Sequence, residues 1–444
     1  MRAFVRSAVR DWSETLSSAR SAAPLLSVSF RTSELKSPSL LPITLALLLT
    51  QVSTTIAQSL PPVRQLGRIV NRSPVTVGSI ASTRELPRGR VLVNDTAARR
   101  LYVFDSALTS RLVVLDSTEG VENSYRETPG GMIAFRADST LFASPSFVSM
   151  LVIDPAGRAI PIVGGPAPAE MLFLAGGAFG NPGFDSRGRL VYRGSARDRT
   201  TPRPPGTFSP YPERDSAPIV ALNLVTGKRD TIALSSIPKV EVSITRDPGG
   251  MFRTTVKQHP LPTVDDWAVL PNGSIALIRG RDFHIDWIDQ NGKTSSSGKM
   301  PFPWRKLTEA AKVAFMDSVR FATDTAIAAQ EVRLAERFKG TDNEPPDPIE
   351  PEYVSPSDLP NLFPAFEPNS TRADPDGILW IRTTQRLQGR PVYYLVNRKG
   401  AVIDRVQLPA GRSIVGFGRN HTVYLAYSDR AGNVRLERAR VRAP

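Results

Sequence analysis

The sequence predicts an all-β protein, on three observations. The 444-residue chain carries 39 prolines and 31 glycines, which suits frequent turns better than long helices. Short apolar runs recur from about residue 75 to the C-terminus, separated by polar turns built on Gly, Asn and Asp. Hydrophobic residues make up 41% of the chain and charged residues 22%, enough to bury a sizeable core.

The clearest unit is LPNGSIALIRGRDFHIDWIDQNGK, residues 270–293. Turn signals at Pro271-Asn272-Gly273 and Asp289-Gln290-Asn291-Gly292 bracket two apolar runs. Gly, Asn and Asp tolerate the positive φ that such turns need. The first half recurs as Phe184-Asp185-Ser186-Arg187-Gly188-Arg189-Leu190 and as Ala373-Asp374-Pro375-Asp376-Gly377-Ile378-Leu379. Weaker copies start at Leu86, Phe135 and Phe417. The second half recurs at Leu151–Val163, Ala221–Leu234 and Tyr394–Ile403. Six units of about four strands result, centred near residues 100, 150, 205, 280, 390 and 425.

A four-stranded sheet with two apolar faces cannot bury both alone. Ring packing buries each sheet between two neighbours and leaves only short edges, which is a β-propeller. Burial on both faces also accounts for continuous apolar runs such as Ser274-Ile275-Ala276-Leu277-Ile278. The fold expected is a six-bladed β-propeller over residues 65–444. The last unit supplies three strands, and Val75–Ile80 is expected to close the ring as its outer strand.

The D/N-G-x-apolar and D-x-x-G turns resemble those of six-bladed propellers in the NHL-repeat and TolB-like group. Members of that group range from scaffolds and ligand binders to lactonases and lyases. The resemblance therefore implies a fold and not an activity.

In such a blade the first and third turns lie on one face. The second turns and the links between blades lie on the other. The signature turns are short and of the first kind; the long insertions are of the second kind. They are residues 193–218, 236–264 and 300–369. Insertions gathered on one face predict a binding surface there. The longest carries a helical insertion between blades four and five, residues 301–365. Leu307, Ala311, Phe315 and Val319 recur every four residues after a candidate N-cap, Thr308. A second helical stretch is expected over 325–339, followed by an acidic, proline-rich loop. The pair is expected to cap the mouth of the ring.

Residues 1–57 read as a leader and signal peptide. LLPITLALLL at 40–49 is the most apolar stretch, and Thr55-Ile56-Ala57 is an acceptable cleavage site. The expected destination is secretion or the periplasm, with an uncleaved membrane anchor as the alternative and no stable membrane span after cleavage. Absence of cysteine removes disulfides, thiolate metal sites and a cysteine nucleophile.

The net charge is +14. The basic residues are dispersed, so a specific nucleic-acid partner is not expected, although a weak anionic-polymer binder is one alternative. His259, His284 and His421 are the only histidines, and no pair has metal-ligand spacing. Arg136, Arg279, Arg281 and Arg372 are candidate binding residues, because guanidinium groups grip carboxylates or phosphates bidentately. Asp266 joins them at the start of the unit-four inner strand. The resemblance adds a metal option: lactonase-type propellers hold Ca²⁺ at the funnel with acidic and amide side chains. Asp266, Asn181 and Asn369 fit that composition. No cofactor is predicted, with Ca²⁺ the candidate if there is one. The function expected is a ligand- or protein-binding scaffold at the cell envelope, taking a protein or small anionic ligand at the insertion-bearing face. The alternative is a Ca²⁺-dependent hydrolase or lactonase with its site in the funnel.

Overall fold

A computed structural model describes residues 60–441, apart from 119–123, 126–127, 145–149, 163–164, 197–214, 239–240, 247–251 and 340–350. The leader, most of the 193–218 insertion and part of the acidic loop lie outside the described residues.

Six sheets form the blades, each with a core of four antiparallel strands, which in blades 1 to 5 follow chain order from the axis outwards. Blade 1 is Ile80–Glu85, Val91–Asp95, Arg100–Phe104 and Arg111–Leu115. Blade 2 is Gly131–Ala134, Thr140–Ala143, Met150–Ile153 and Ala159–Ile162. Blade 3 is Gly183–Phe184, Leu190–Arg193, Ser216–Leu222 and Arg229–Ser236. Blade 4 is Asp266–Val269, Ile275–Arg279, His284–Ile288 and Thr294–Ser296. Blade 5 is Phe366–Ala373, Leu379–Leu387, Arg390–Val396 and Val402–Gln407. Blade 6 is Arg412–Gly418, Thr422–Ser428 and Val434–Arg440, with Ile69–Val77 as its outer strand. The chain is a six-bladed β-propeller.

The core is divided into interfaces rather than gathered in one place. Separate clusters of buried side chains join blades 1 and 2, 2 and 3, 3 and 4, 4 and 5, 5 and 6, and 6 and 1. The period of two in a strand does this. In blade 4, Ile275 and Leu277 face blade 3, whereas Ala276 and Ile278 face blade 5. The apolar run at 275–278 thus serves two interfaces at once.

The signature turns share one local device. Oδ1 of the leading Asp or Asn accepts the amides two and four residues on. This holds at Asp154, Asp185, Asp289, Asp374, Asn397 and Asp429. Such Asx-type bonds replace backbone pairing where the chain reverses.

Two expectations change. Ring closure uses Ile69–Val77 against Val434–Arg440, displaced from the expected Val75–Ile80. The Asp95 carboxylate accepts the amides of Gly78 and Ser79 at 2.7 and 2.9 Å, which ends the outer strand and starts the inner strand of blade 1 at Ile80. The two expected helices are one helix, α1, Glu309–Phe338. It contains no Gly or Pro to break it, and the Thr308 hydroxyl caps it by accepting from the Ala311 amide at 3.2 Å. Its apolar face, with Phe315, Met316 and Val319, packs on Leu261, Val354, Leu359 and Phe363. Those partners belong to the insertion itself and to the chain entering blade 4. An accessory sheet lies in the same region: Glu241–Arg246 and Phe252–Gln258, with Glu352–Tyr353 added in parallel. Val63–Gln65 adds a parallel fifth strand to blade 5.

Candidate functional site

The inner strands converge on the axis, and a channel of about 650 Å³ runs between them. All six blades contribute to its wall. Its lining reaches the first turns of the blades, at Arg136, Ser186, Pro271 and Pro375. The channel therefore extends to the short-turn face, whereas the ligand was expected at the insertion-bearing face. Each inner strand runs from the insertion-bearing face to the short-turn face, so its last residues set the chemistry of this mouth.

Two of the expected binding residues line this channel. Arg372 is the penultimate residue of its inner strand, and Arg136 stands just past the end of another. Arg136 is exposed, lies over the Phe135 ring at 5.9 Å, and has no carboxylate partner among the described residues. The acids on the same wall are engaged. Asp185 gives Oδ1 to its turn amides and Oδ2 to Arg189 Nε at 2.8 Å. Asp374 gives Oδ1 to its turn and Oδ2 to Trp380 Nε1 at 3.0 Å. Burial, with the neighbouring Asp376 charge adding to it, raises the Asp374 carboxyl above the usual range. The channel wall thus carries two guanidinium groups and two carboxylates.

Its apolar wall was not singled out in the sequence. Phe135, Phe184, Leu270, Ala373 and Phe417 line the channel. Each is the apolar residue immediately before a signature turn. That recurrence is the signal that identifies them. Phe135 and Phe184 pack with centroids 5.3 Å apart.

The other candidates lie elsewhere. Arg279 is held by Asp286 at 2.6 Å, Asp265 at 2.8 Å and the Leu234 carbonyl at 3.0 Å. It braces blade 4 at the insertion-bearing end. Arg281 is exposed in the loop beside it. Asp266 begins the blade 4 inner strand and is buried. Its Oδ2 accepts the amides of Ser370 and Thr371 at 2.7 and 2.8 Å, and its Oδ1 accepts the Trp267 amide at 3.0 Å. Burial outweighs these bonds and pushes the carboxyl up to about 6. Asn181 lines the channel and donates from Nδ2 to the Thr371 carbonyl at 2.9 Å. Asn369 holds φ 59°, and its Oδ1 is buried without a hydrogen-bond partner among the described residues.

Asp266, Asn181 and Asn369 thus gather around one segment, 369–371, but they do not form a Ca²⁺ cage. Ca²⁺ takes roughly six to eight oxygen ligands, commonly including several carboxylates. Here a single carboxylate receives three N–H donors, whose positive ends occupy the positions a cation would approach. No group of three or more acidic or histidine side chains suits a metal among the described residues.

No family model matches the chain, and no curated protein matches it. Among solved structures it is similar to a gluconolactonase from Xanthomonas campestris, at 10% identity over 86% of this chain and 98% of that one, TM-score 0.38. It is similar to the calcium-binding protein regucalcin from Agrobacterium tumefaciens, at 11% identity over 86% and 98%, TM-score 0.39. It is also similar to the PQQ-bound aldose sugar dehydrogenase of Streptomyces coelicolor, at 13% identity over 85% and 99%, TM-score 0.36. These likenesses do not single out the NHL-repeat or TolB-like group, and at such scores they bear on no chemistry. The strand pairing itself establishes the six-bladed ring.

Proposed function

We propose that the protein is an exported binding propeller that takes a small organic anion into its central channel from the short-turn face. One observation carries this reading. Arg136 stands on the channel wall with no carboxylate partner among the described residues, and the described carboxylates on that wall are tied to turn amides and to Arg189 or Trp380. A guanidinium fork matches a carboxylate in shape and charge, and partial enclosure strengthens the attraction. Export rests on the apolar stretch and small-residue site of the leader. A Ca²⁺-dependent hydrolase in the funnel draws no support from the Asp266 surroundings.

Calorimetric titration with sodium propionate tests the reading. Saturable binding is expected, weakened at least about tenfold in Arg136→Gln, as loss of a charged hydrogen bond implies. Binding that this variant does not weaken would place the anion elsewhere and defeat the proposal.

A further inference from the structure

A second cavity, about 190 Å³, opens between blades 5 and 6 on the short-turn face. Trp380, Leu395 and Val423, all buried, form its wall. The exposed lining residues, Pro375, Asp376 and His421, mark its opening. Two carboxylates, Asp374 and Asp376, and one imidazole stand among the lining residues, and no Lys or Arg does. Arg398, whose guanidinium lies beside Gly377 in the same turn, is outside the lining. The Asp374 carboxylate is occupied by its turn amides and by Trp380 Nε1, at 3.0 Å. Asp376 is only half engaged. Its Oδ2 lies 3.2 Å from His421 Nδ1, and its Oδ1 accepts no hydrogen bond among the described residues. The cavity thus joins an apolar, aromatic interior to an acidic entrance. For scale, an apolar cavity of about 150 Å³ stays dry and takes up benzene.

We propose that this cavity binds a small organic ammonium ion, with its cationic head at Asp376 and its apolar body, of phenyl size, against Trp380, Leu395 and Val423. Charge complementarity fixes the head. The lining sets no guanidinium or ammonium group against it, and a cation at the entrance offsets the repulsion between Asp374 and Asp376, which already adds to the effect of burial in raising the Asp374 carboxyl. Trp380 and Phe417, with ring centroids 5.4 Å apart, add aromatic surface, and Trp is the ring a cation favours most. A carboxylate would meet Asp374 and Asp376 on entry. A neutral hydrocarbon would fill the interior and leave Asp376 as it stands. A metal ion would find one half-engaged carboxylate above an apolar wall, too few oxygen ligands to replace its water. The site is separate from the anion reading of the channel, since it takes the opposite charge and needs neither Arg136 nor Arg372.

The test is calorimetry on the full chain near neutral pH with three probes: benzylammonium, methylammonium and the uncharged benzyl alcohol. Benzylammonium should bind saturably. It should bind about tenfold or more tighter than methylammonium, the worth of burying a ring, and at least about threefold tighter than benzyl alcohol, as a half-exposed ion pair implies. Asp376→Asn, a change at an exposed turn, should remove that threefold advantage and leave benzyl alcohol unaffected. Ile378→Trp, which puts a larger ring into the cavity wall, should collapse the ratio between the two cations; the three titrations on the parent chain decide the case if that variant does not fold. No saturable binding of benzylammonium would overturn the site. Equal affinity for the two cations would overturn the apolar pocket and leave a surface ion pair only. Equal affinity for benzylammonium and benzyl alcohol, or undiminished benzylammonium binding in Asp376→Asn, would overturn the cationic ligand.

Discussion

The two ends of the propeller axis handle charge in opposite ways. At the insertion-bearing end a carboxylate, Asp266, is sealed in and held by three backbone amides from two blades. At the short-turn end guanidinium groups face a channel, and the nearby carboxylates stay in their own turns. The repeat produces both outcomes from the same strand. In blade 4 the first residue, Asp266, is buried against the neighbouring blade, while the last, Val269, keeps contact with solvent. Asp266 therefore acts as a bolt between blades 4 and 5, whereas Arg136 and Arg372 line the channel at the other end. An acidic residue on a propeller axis is no sign of a metal or catalytic site until its hydrogen bonds are counted.

The largest effect expected is at the bolt. Asp266→Ala leaves the amides of Trp267, Ser370 and Thr371 without their acceptor in a buried place. Each such loss costs about 1–3 kcal/mol, partly offset by removing a buried charge, so a net destabilisation of about 3 kcal/mol is expected. Denaturant unfolding would read it. The pH dependence has a definite sign. The Asp266 carboxyl is raised in the folded state to about 6, so the folded protein binds more protons than the unfolded chain between about pH 4 and 6. This group therefore lowers stability as pH rises through that window, by about 3 kcal/mol in total. The gap between parent and variant should be widest near pH 4. A gap that widened towards neutral pH would show that the carboxylate is stabilised as an anion, and the contrast between the two ends would fail.

How far the sequence reached follows the same division between local and distant causes. The blades were legible because each signature turn is closed by its own Asp or Asn, within four residues, as at Asp185 and Asp289. The helix start was legible because Thr308 caps a residue three places on. The closing strand was displaced because IVNRSPVTV buries one side only and contains Pro74, so it reads as a loop. The parallel strand Val63–Gln65 and the accessory sheet give no local signal, since their partners are far along the chain. The role of Asp266 was hidden for the same reason: its amide donors lie 104 and 105 residues away. Asp266, Asn181 and Asn369 gather around residues 369–371, but the sequence could not say that backbone amides already hold the carboxylate.

A middle-sized effect is expected at the channel mouth, from Gly273→Ala. Gly273 holds φ 82°, and a Cβ there would lie 2.1 Å from the Ser186 backbone nitrogen. The blade 4 turn thus packs on the blade 3 turn with no room for a methyl group. Strain in the left-handed region and displacement of that contact together predict a loss of about 1–3 kcal/mol. Because Ser186 and Pro271 both line the channel, propionate affinity should fall as well. Asp266→Ala, at the other end, should lower stability without that fall once unfolding is corrected for. Equal effects of the two variants on affinity would mean that the ends are coupled.

The smallest effect on stability, and the sharpest separation of the two ends, is expected from Arg136→Gln. Its side chain is exposed and has no carboxylate to leave behind among the described residues. Its one described contact is the Phe135 ring at 5.9 Å, and exposed cation–π contacts are worth about 0.5–1 kcal/mol. Removing one positive charge from a chain of net charge +14 also relieves some self-repulsion. These terms oppose one another, so the unfolding midpoint should stay within about 0.5 kcal/mol of the parent, as surface substitutions do. Affinity for propionate should nevertheless fall at least about tenfold, because the guanidinium fork supplies the charge-assisted bonds. A residue that costs binding and not folding contributes to function alone. A marked loss of stability in this variant would instead give Arg136 the same bracing role as Arg279, and both ends of the axis would then be structural.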